Sequence, residues 1–239
     1  MRSRQLTRSL VVGAAALAVA GGSYGIVSAT SSSSPATPSS SPSASGNGLA
    51  HAPGSGGGTN ARSGPAAGGA AGTVGSLTSS GFTMTTSAGQ KVTVDEASST
   101  TYQKGMSPAS ASAVTTGTPV LVLGTTSGTT ITAGQVIVQP AGGGSATSAA
   151  AKVIPFQRGA PATSKQVGQI PANYSQGSGT IVSGSAANKA TEAALAAYPG
   201  GIVDRVVKLS NGEYEVHYIG VNWPHHVFVN QNFKVIGAE

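Results

Sequence analysis

The chain has 239 residues, of which 8% are charged and 5% aromatic, with 35 glycines and 13 prolines. Globular domains carry about 25% charged residues, so this composition predicts that long parts of the chain are flexible linkers. The sequence contains no cysteine, which excludes disulfides, thiolate zinc sites and cysteine nucleophiles.

The N-terminus has the pattern of an export signal. Arg2, Arg4 and Arg8 precede the uncharged apolar run 10–20 (LVVGAAALAVA), and the small residues 27–29 (VSA) fit a signal-peptidase site. The uncharged stretch 10–29 is also about 20 residues long, which is enough to span a bilayer as an uncleaved anchor. Either alternative places the remainder outside the cytoplasm, secreted or associated with the cell envelope, with membrane contact only through this segment.

The charge pattern argues against nucleic acid as a partner. The formal net charge of +6 includes the three arginines of the signal, and without them 10 basic and 7 acidic residues remain. Lysine and arginine occur singly, without interleaved aromatic residues. Nucleic-acid binding needs a concentrated basic surface, so we expect no nucleic-acid partner.

The segment after the signal lacks periodicity and large apolar side chains. Such a composition cannot bury enough surface to offset the entropy of ordering, and it predicts a flexible stalk. A second, shorter linker follows the middle of the chain. Its proline-bounded stretches contain Phe156 and Tyr174, which either pack on a neighbouring domain or act as recognition segments.

The middle of the chain predicts short strands. Runs such as FTMTT, KVTV, VLVLG, TTIT and QVIV alternate apolar and polar residues or are β-branched, and turn signals separate them. Gly81, Gly89 and Gly128 stand where hairpin turns require positive φ. Five or six strands over about 70 residues indicate a small antiparallel barrel or sandwich.

The order of G-x-V, F-T-M-x-T, G-Q-K-V-T-V, G-T-P-V-L-V-L-G and T-I-T-A-x-x-V-I-V in residues 72–139 resembles a family of small exported bacterial β-barrel domains of OB-like form. That family has no established activity. The resemblance therefore implies an architecture and no function.

The C-terminal region predicts one helix followed by a three- or four-stranded antiparallel meander. Ser185 suits the helix N-cap and the stretch PGG ends the helix. The strand-like runs are IVDRVVKL, EYEVHYI, HVFVN and FKVIG, and Asn211-Gly212 between the first two is a strong hairpin signal. The apolar side chains at helical spacing are Ala187, Ala190, Ala194 and Tyr198.

The helix end AALAAYPGG and the hairpin NGEYEV, within residues 185–235, resemble the PepSY domain. Members of that family occur in propeptides of secreted metallopeptidases and in membrane-associated bacterial proteins. The resemblance implies a role in binding or restraining an exported peptidase, although a fold does not carry a function with it. The family has no catalytic constellation that can be mapped onto this chain.

The stretch NWPHHVF (222–228) carries two competing hypotheses, of which the first is a metal site. Glu215 and His217 share a strand face, and a suitable hairpin register would bring His225 onto it. Two histidines and a carboxylate suit zinc or copper. The alternative is that Tyr214, Val216 and Tyr218 face inward, which would leave Glu215 and His217 in solvent.

The second hypothesis is partner recognition by the sheet and its tip, with Trp223, Tyr218 and Phe228 as contact residues. Pro224 favours an extended backbone at Trp223 and suits a loop or sheet edge. Exposed aromatic side chains are common binding anchors. The alternative is that Trp223 covers a small core made mainly of alanine and valine.

Catalysis and cofactor binding are not expected. Asp95-Glu96 ends a strand and fits a solvated turn better than an acid–base pair. No serine stands in a nucleophile elbow with a suitable context, and the glycine runs lie in linkers rather than between strand and helix. We therefore predict a non-catalytic protein without a cofactor.

The predicted fold is mainly β, with one α+β domain joined to a small antiparallel barrel by disordered linkers. The predicted boundaries are a signal peptide or anchor at 1–29, a stalk at 30–71, a β-barrel at 72–140, a linker at 141–179 and the PepSY-like domain at 180–239.

Overall fold

The computed structural model describes residues 64–140 and 152–239, which belong to one compact unit, His51–Glu239. The predicted signal and most of the predicted stalk lie outside the described residues. The described part is mainly β, as the sequence predicts, with a large mixed sheet and one α-helix. In these two ranges, no helix has the length and apolarity needed to cross a membrane.

The first described range forms six strands and a short 3-10 turn at Ala111–Ala113. The strands are β1 (Ala66–Thr78), β2 (Gly81–Thr85), β3 (Lys91–Lys104), β4 (Ser107–Ala109), β5 (Pro119–Ser127) and β6 (Thr130–Val138).

The second described range holds the helix, four longer strands and four of two or three residues. In chain order they are β7 (Ile154–Pro155), β8 (Val167–Gly168), β9 (Thr180–Ile181), α1 (Gly184–Ala197), β10 (Ile202–Lys208), β11 (Tyr214–Ile219), β12 (Val221–Trp223), β13 (His226–Val229) and β14 (Val235–Ala238).

Five strands of the first range close into a circuit in the order β1, β2, β3, β6, β5 and back to β1. Four of these pairings are antiparallel, and β3 and β6 run parallel. The prediction of a purely antiparallel barrel is wrong in this respect. An odd number of strands cannot alternate direction around a closed circuit, so at least one pair must be parallel.

The alternating residues predicted to face the barrel interior do so. Phe82, Met84, Val92 and Val94 are buried in one apolar cluster together with residues of β5 and β6. The turn glycines also behave as expected, since Gly128 has a φ of 58° in the tight connection between β5 and β6. This half of the sheet is therefore set by alternation and by turn residues.

Strand β1 begins at Ala66, inside the range predicted to be a flexible stalk, and this boundary is corrected. Its first half is made of alanine and glycine, which allows neighbouring backbones to approach very closely. A Cβ on Gly68 would lie 2.0 Å from the carbonyl oxygen of Val203, and one on Gly69 would lie 2.2 Å from that of Val122. Low complexity here serves close packing rather than disorder.

The same small-residue stretch joins the two halves of the protein. β1 pairs with β10 through Gly69 opposite Val203 and Ala70 opposite Ile202. Barrel and C-terminal strands thus belong to one continuous sheet, and the predicted arrangement of two domains joined only by linkers is not what the described residues form.

The C-terminal strands form the predicted antiparallel meander in the order β10, β11, β13 and β14. The hairpin at Asn211-Gly212 is confirmed, with a φ of 84° at Gly212. Helix α1 packs its alanines against one face of this sheet and against Leu121 and Leu123 of β5. The N-cap of this helix is Ser183 rather than the predicted Ser185. Both serines are suitable N-cap residues, so the sequence alone does not distinguish between them.

The described part of the predicted linker, from residue 152 onward, lies against the C-terminal sheet. We call residues 153–179 the strap. Its strands β7 and β8 pair with β12 and β14, respectively. Of the two alternatives for its aromatic residues, Tyr174 packs edge-on against Phe228, with ring centroids 4.7 Å apart, whereas Phe156 is half exposed.

Candidate functional site

The two faces of the C-terminal sheet differ in chemistry. On β11 and β13, Val216, Tyr218, Val227 and Val229 pack toward helix α1. Side chains at alternate positions point to the opposite face, which the strap covers. The valines of β13 face the helix and Phe228 does not, so Phe228 shares the strap-covered face with His226.

The three side chains predicted to contact a partner are all buried. Trp223 is 1% exposed and stacks edge-on with Tyr198 at 5.5 Å, and its Nε1 donates a hydrogen bond of 2.8 Å to the carbonyl oxygen of Lys165. Tyr218 and Phe228 are also inaccessible. The prediction that Trp223, Tyr218 and Phe228 form a contact surface is therefore corrected.

Trp223 belongs to the core of the C-terminal part, which was the alternative to partner recognition. The helix supplies mainly alanines to this core, so large aromatic side chains from the strands must fill the space. Gly201 makes room for one of them, since a Cβ there would lie 2.2 Å from Cδ1 of Tyr218. The apolar core depends on a few large rings fitted against very small residues.

The strap-covered face carries a pair of histidines held by carboxylates. His217 of β11 lies directly opposite His226 of β13, with ring centroids 5.1 Å apart and ring planes at 69°. Nδ1 of His226 lies 2.7 Å from Oε1 of Glu215, whose side chain is 1% exposed. The hydroxyl of Tyr174 in the strap lies 3.1 Å from the same nitrogen.

The second histidine has a matching partner on β10. Nδ1 of His217 lies 2.5 Å from Oδ1 of Asp204, and Nη1 of Arg205 lies 3.3 Å from Oδ2 of the same carboxylate. A carboxylate only accepts hydrogen bonds. Nη1 of Arg205 also lies 3.1 Å from Nδ1 of His217, but a carboxylate oxygen is the nearer neighbour of each Nδ1. Each carboxylate therefore favours the tautomer with the proton on Nδ1 and the lone pair on Nε2.

Burial also shifts the pKa values of two side chains beside this pair, Tyr174 and His225. Burial and the charges of Glu215 and Glu239 raise the pKa of Tyr174, so its hydroxyl stays protonated. Burial lowers the pKa of His225, with further lowering by the other two histidines, against the opposing effect of its backbone contact with Tyr218. The neutral forms of both side chains are favoured in the folded protein.

A groove of about 410 Å³ runs between the strap and this histidine pair. It is bordered on one side by the strap and on the other by the sheet, and we call it the histidine groove. Its main polar residues are Lys165, Gln166, His217, His225, His226 and Glu239.

The predicted ligand set of Glu215, His217 and His225 is only partly assembled. His217 pairs across the strands with His226 and not with His225, and Glu215 is engaged with His226. Nor does Glu215 face solvent, as the alternative supposed, because the strap covers it. Among residues 64–140 and 152–239, no three His, Cys, Asp or Glu side chains are grouped in a way that could hold a metal ion.

Four residues of this site were missed by sequence reasoning, namely Asp204, Arg205, His226 and Tyr174. Asp204 lies at an irregularity between Val203 and Arg205 in the pairing of β10 with β11, which no alternation pattern shows. Tyr174 lies 52 positions before its hydrogen-bonding neighbour His226. Only His226 had a local signal, because it adjoins the histidine that was chosen.

Comparison with protein-family models, curated proteins and solved structures gives no match to this chain.

Proposed function

We propose that the protein is a non-catalytic, extracytoplasmic binding protein, secreted or held at the cell envelope, that binds an extended polypeptide segment of a partner along its C-terminal sheet. The resemblance to the PepSY domain suggests an exported peptidase as the partner class. The observation that carries the proposal is the way the strap lies on the sheet.

The strap uses the sheet as a peptide ligand would. Val167 and Gly168 pair with Ala238 and Gly237 of β14, and the backbone N–H of Gln169 donates a hydrogen bond of 2.8 Å to the carbonyl oxygen of Ile236. Main-chain hydrogen bonds of this kind give the affinity when an extended peptide adds a strand to a sheet edge. The edge of β14 is thus suited to accept an extended chain.

The main-chain pairing of the strap with the sheet is short. Its pairings with β14 and β12 each involve two strap residues, and Val167 and Phe156 leave 42% and 53% of their surface exposed. Sheet edges are normally protected from pairing with other chains. An internal strand of two residues protects the edge and still leaves it open to replacement by a longer partner strand.

The first experiment measures binding of a labelled peptide of residues 163–171 (TSKQVGQIP) to the full chain by fluorescence anisotropy. The test variant is Gln169→Pro, which removes the N–H that bonds Ile236. The matched control is Val167→Ala, which keeps every backbone donor. We expect at least tenfold tighter peptide binding by Gln169→Pro than by the wild type or the control.

Equal binding by all three proteins, with unchanged far-ultraviolet circular dichroism, would show that the edge does not accept a chain supplied in trans. The partner class is tested separately, by adding the full chain and Gln169→Pro to exported metallopeptidases. Stronger inhibition by the variant supports a peptidase partner. Peptide binding without inhibition keeps the edge as the binding site and rejects the peptidase.

A further inference from the structure

We propose that His217 and His226 form a binding site for Zn²⁺ or Cu²⁺ in the histidine groove, with both Nε2 atoms as ligands. This inference concerns a function separate from polypeptide binding. It differs from the metal site expected from the sequence, because the second histidine is His226 and Glu215 acts on that ring rather than on the metal.

The spacing of the two rings fits a shared metal ion. His217 and His226 are direct cross-strand neighbours with centroids 5.1 Å apart. With Zn–N bonds of about 2.1 Å and tetrahedral angles, two imidazoles on one zinc ion have centroids about 5 Å apart. The centroid distance between these two rings on adjacent strands therefore matches that of two imidazoles on one ion.

The hydrogen bonds select the tautomer that binds metal. Asp204 and Glu215 accept from Nδ1 of His217 and His226 at 2.5 Å and 2.7 Å. A histidine that ligates a metal through one nitrogen usually donates its other N–H to a carboxylate or carbonyl, which fixes the tautomer and orients the ring. Here both rings of one pair are held in that way.

The charges around the pair favour a cation. Two carboxylates, Asp204 and Glu215, adjoin the pair, against the one guanidinium of Arg205, whose Nη1 lies 3.3 Å from Oδ2 of Asp204 and 3.1 Å from Nδ1 of His217. Oε2 of Glu215 is buried and has no hydrogen-bond partner among the described residues. A buried carboxylate without full compensation is costly, and a divalent ion on the adjoining imidazole would stabilise it.

The site would be open rather than closed. Because the described residues supply no ready-made set of three ligating side chains, the remaining positions on the ion fall to water in the groove. Imidazole nitrogen suits zinc and copper, whereas calcium and magnesium prefer oxygen. The site therefore selects between metals by ligand type.

The test is a titration of the full chain with Zn²⁺ by calorimetry, alongside Cu²⁺ binding followed by electron paramagnetic resonance. We expect saturation at one ion per chain. His217→Ala and His226→Ala should each abolish saturable binding, whereas Glu192→Ala, on the exposed face of α1, should leave it unchanged. Asp204→Asn keeps both ligands and should weaken binding about tenfold or more.

The copper spectrum of the wild-type protein is an independent readout if a variant fails to fold, since two coordinated imidazoles give hyperfine splitting from two nitrogens. Splitting from a single nitrogen, or a flat zinc titration of the folded wild type, would overturn the proposal. Loss of binding in His225→Ala but not in His226→Ala would overturn it too, in favour of the ligand pair expected from the sequence.

Discussion

At the scale of single residues, the covered face of the C-terminal sheet depends on hydrogen bonds between buried polar groups. Glu215 is almost completely buried beneath the strap and accepts a hydrogen bond from His226. Removing such a group leaves its partner buried without an acceptor, which costs more than the hydrogen bond itself. The strap is therefore bound to the sheet by polar contacts as well as by the packing of Tyr174.

We predict that Glu215→Ala lowers the free energy of unfolding by about 2 kcal/mol or more, because it removes the buried carboxylate that accepts from Nδ1 of His226 and opens a cavity. The control is Glu192→Ala on the exposed face of α1, which should change stability by less than about 0.5 kcal/mol. Urea denaturation followed by circular dichroism measures both. Similar effects of the two substitutions would show that Glu215 has no special role.

The sequence pattern located this site but predicted the wrong neighbour for His217, namely His225 instead of His226. Alternation correctly put Glu215 and His217 on one face, but it could not decide between His225 and His226, since a shift of one residue changes the face of every side chain. Covering of that face by Tyr174 depends on a segment distant in sequence. Local patterns carry no information about such contacts.

At the scale of elements, turns and alternating strands were predictable from the sequence. The pairing of β1 with β10, which joins the two halves of the protein, was not. Asn211-Gly212 and the barrel turns follow from the φ values that glycine allows. The alanine and glycine residues that open β1 carry no apolar signal, although Gly68 and Gly69 lie against the backbones of β10 and β5. Composition alone does not distinguish a closely packed strand of small residues from a flexible linker.

We predict that Gly68→Ala destabilises the protein by about 1–3 kcal/mol, the usual range for overpacking, because its Cβ would lie 2.0 Å from the carbonyl oxygen of Val203. Gly134→Ala in β6 is the control, since the nearest atom to its Cβ is 3.7 Å away. We expect that control to be neutral or slightly stabilising. Thermal unfolding of the two variants measures the difference. An unfolding temperature of Gly68→Ala equal to that of the wild type would mean that β1 and β10 are not in close backbone contact.

At the scale of the whole molecule, one sheet runs from the barrel through β1 into the C-terminal meander. Helix α1 packs against both parts, and Leu121 and Leu123 of the barrel share a core cluster with Trp223. A hydroxyl of the barrel also reaches across, since Oγ1 of Thr86 donates a hydrogen bond of 2.8 Å to the carbonyl oxygen of Gly200. Such shared packing couples the unfolding of the two parts.

This coupling makes a prediction about a distant reporter. Met84→Ala opens a cavity in the barrel, where Met84 is 1% exposed, and should cost about 2–5 kcal/mol. Trp223 lies in the other core cluster, so its fluorescence reports on the C-terminal part. If the described residues unfold as one unit, the denaturation midpoint measured by Trp223 fluorescence falls by the same amount as the midpoint measured by circular dichroism.

The control is Met106→Ala, at a side chain that is 98% exposed, and it should shift neither midpoint. A Trp223 transition that stays in place while the circular dichroism splits into two steps would show that barrel and meander unfold independently.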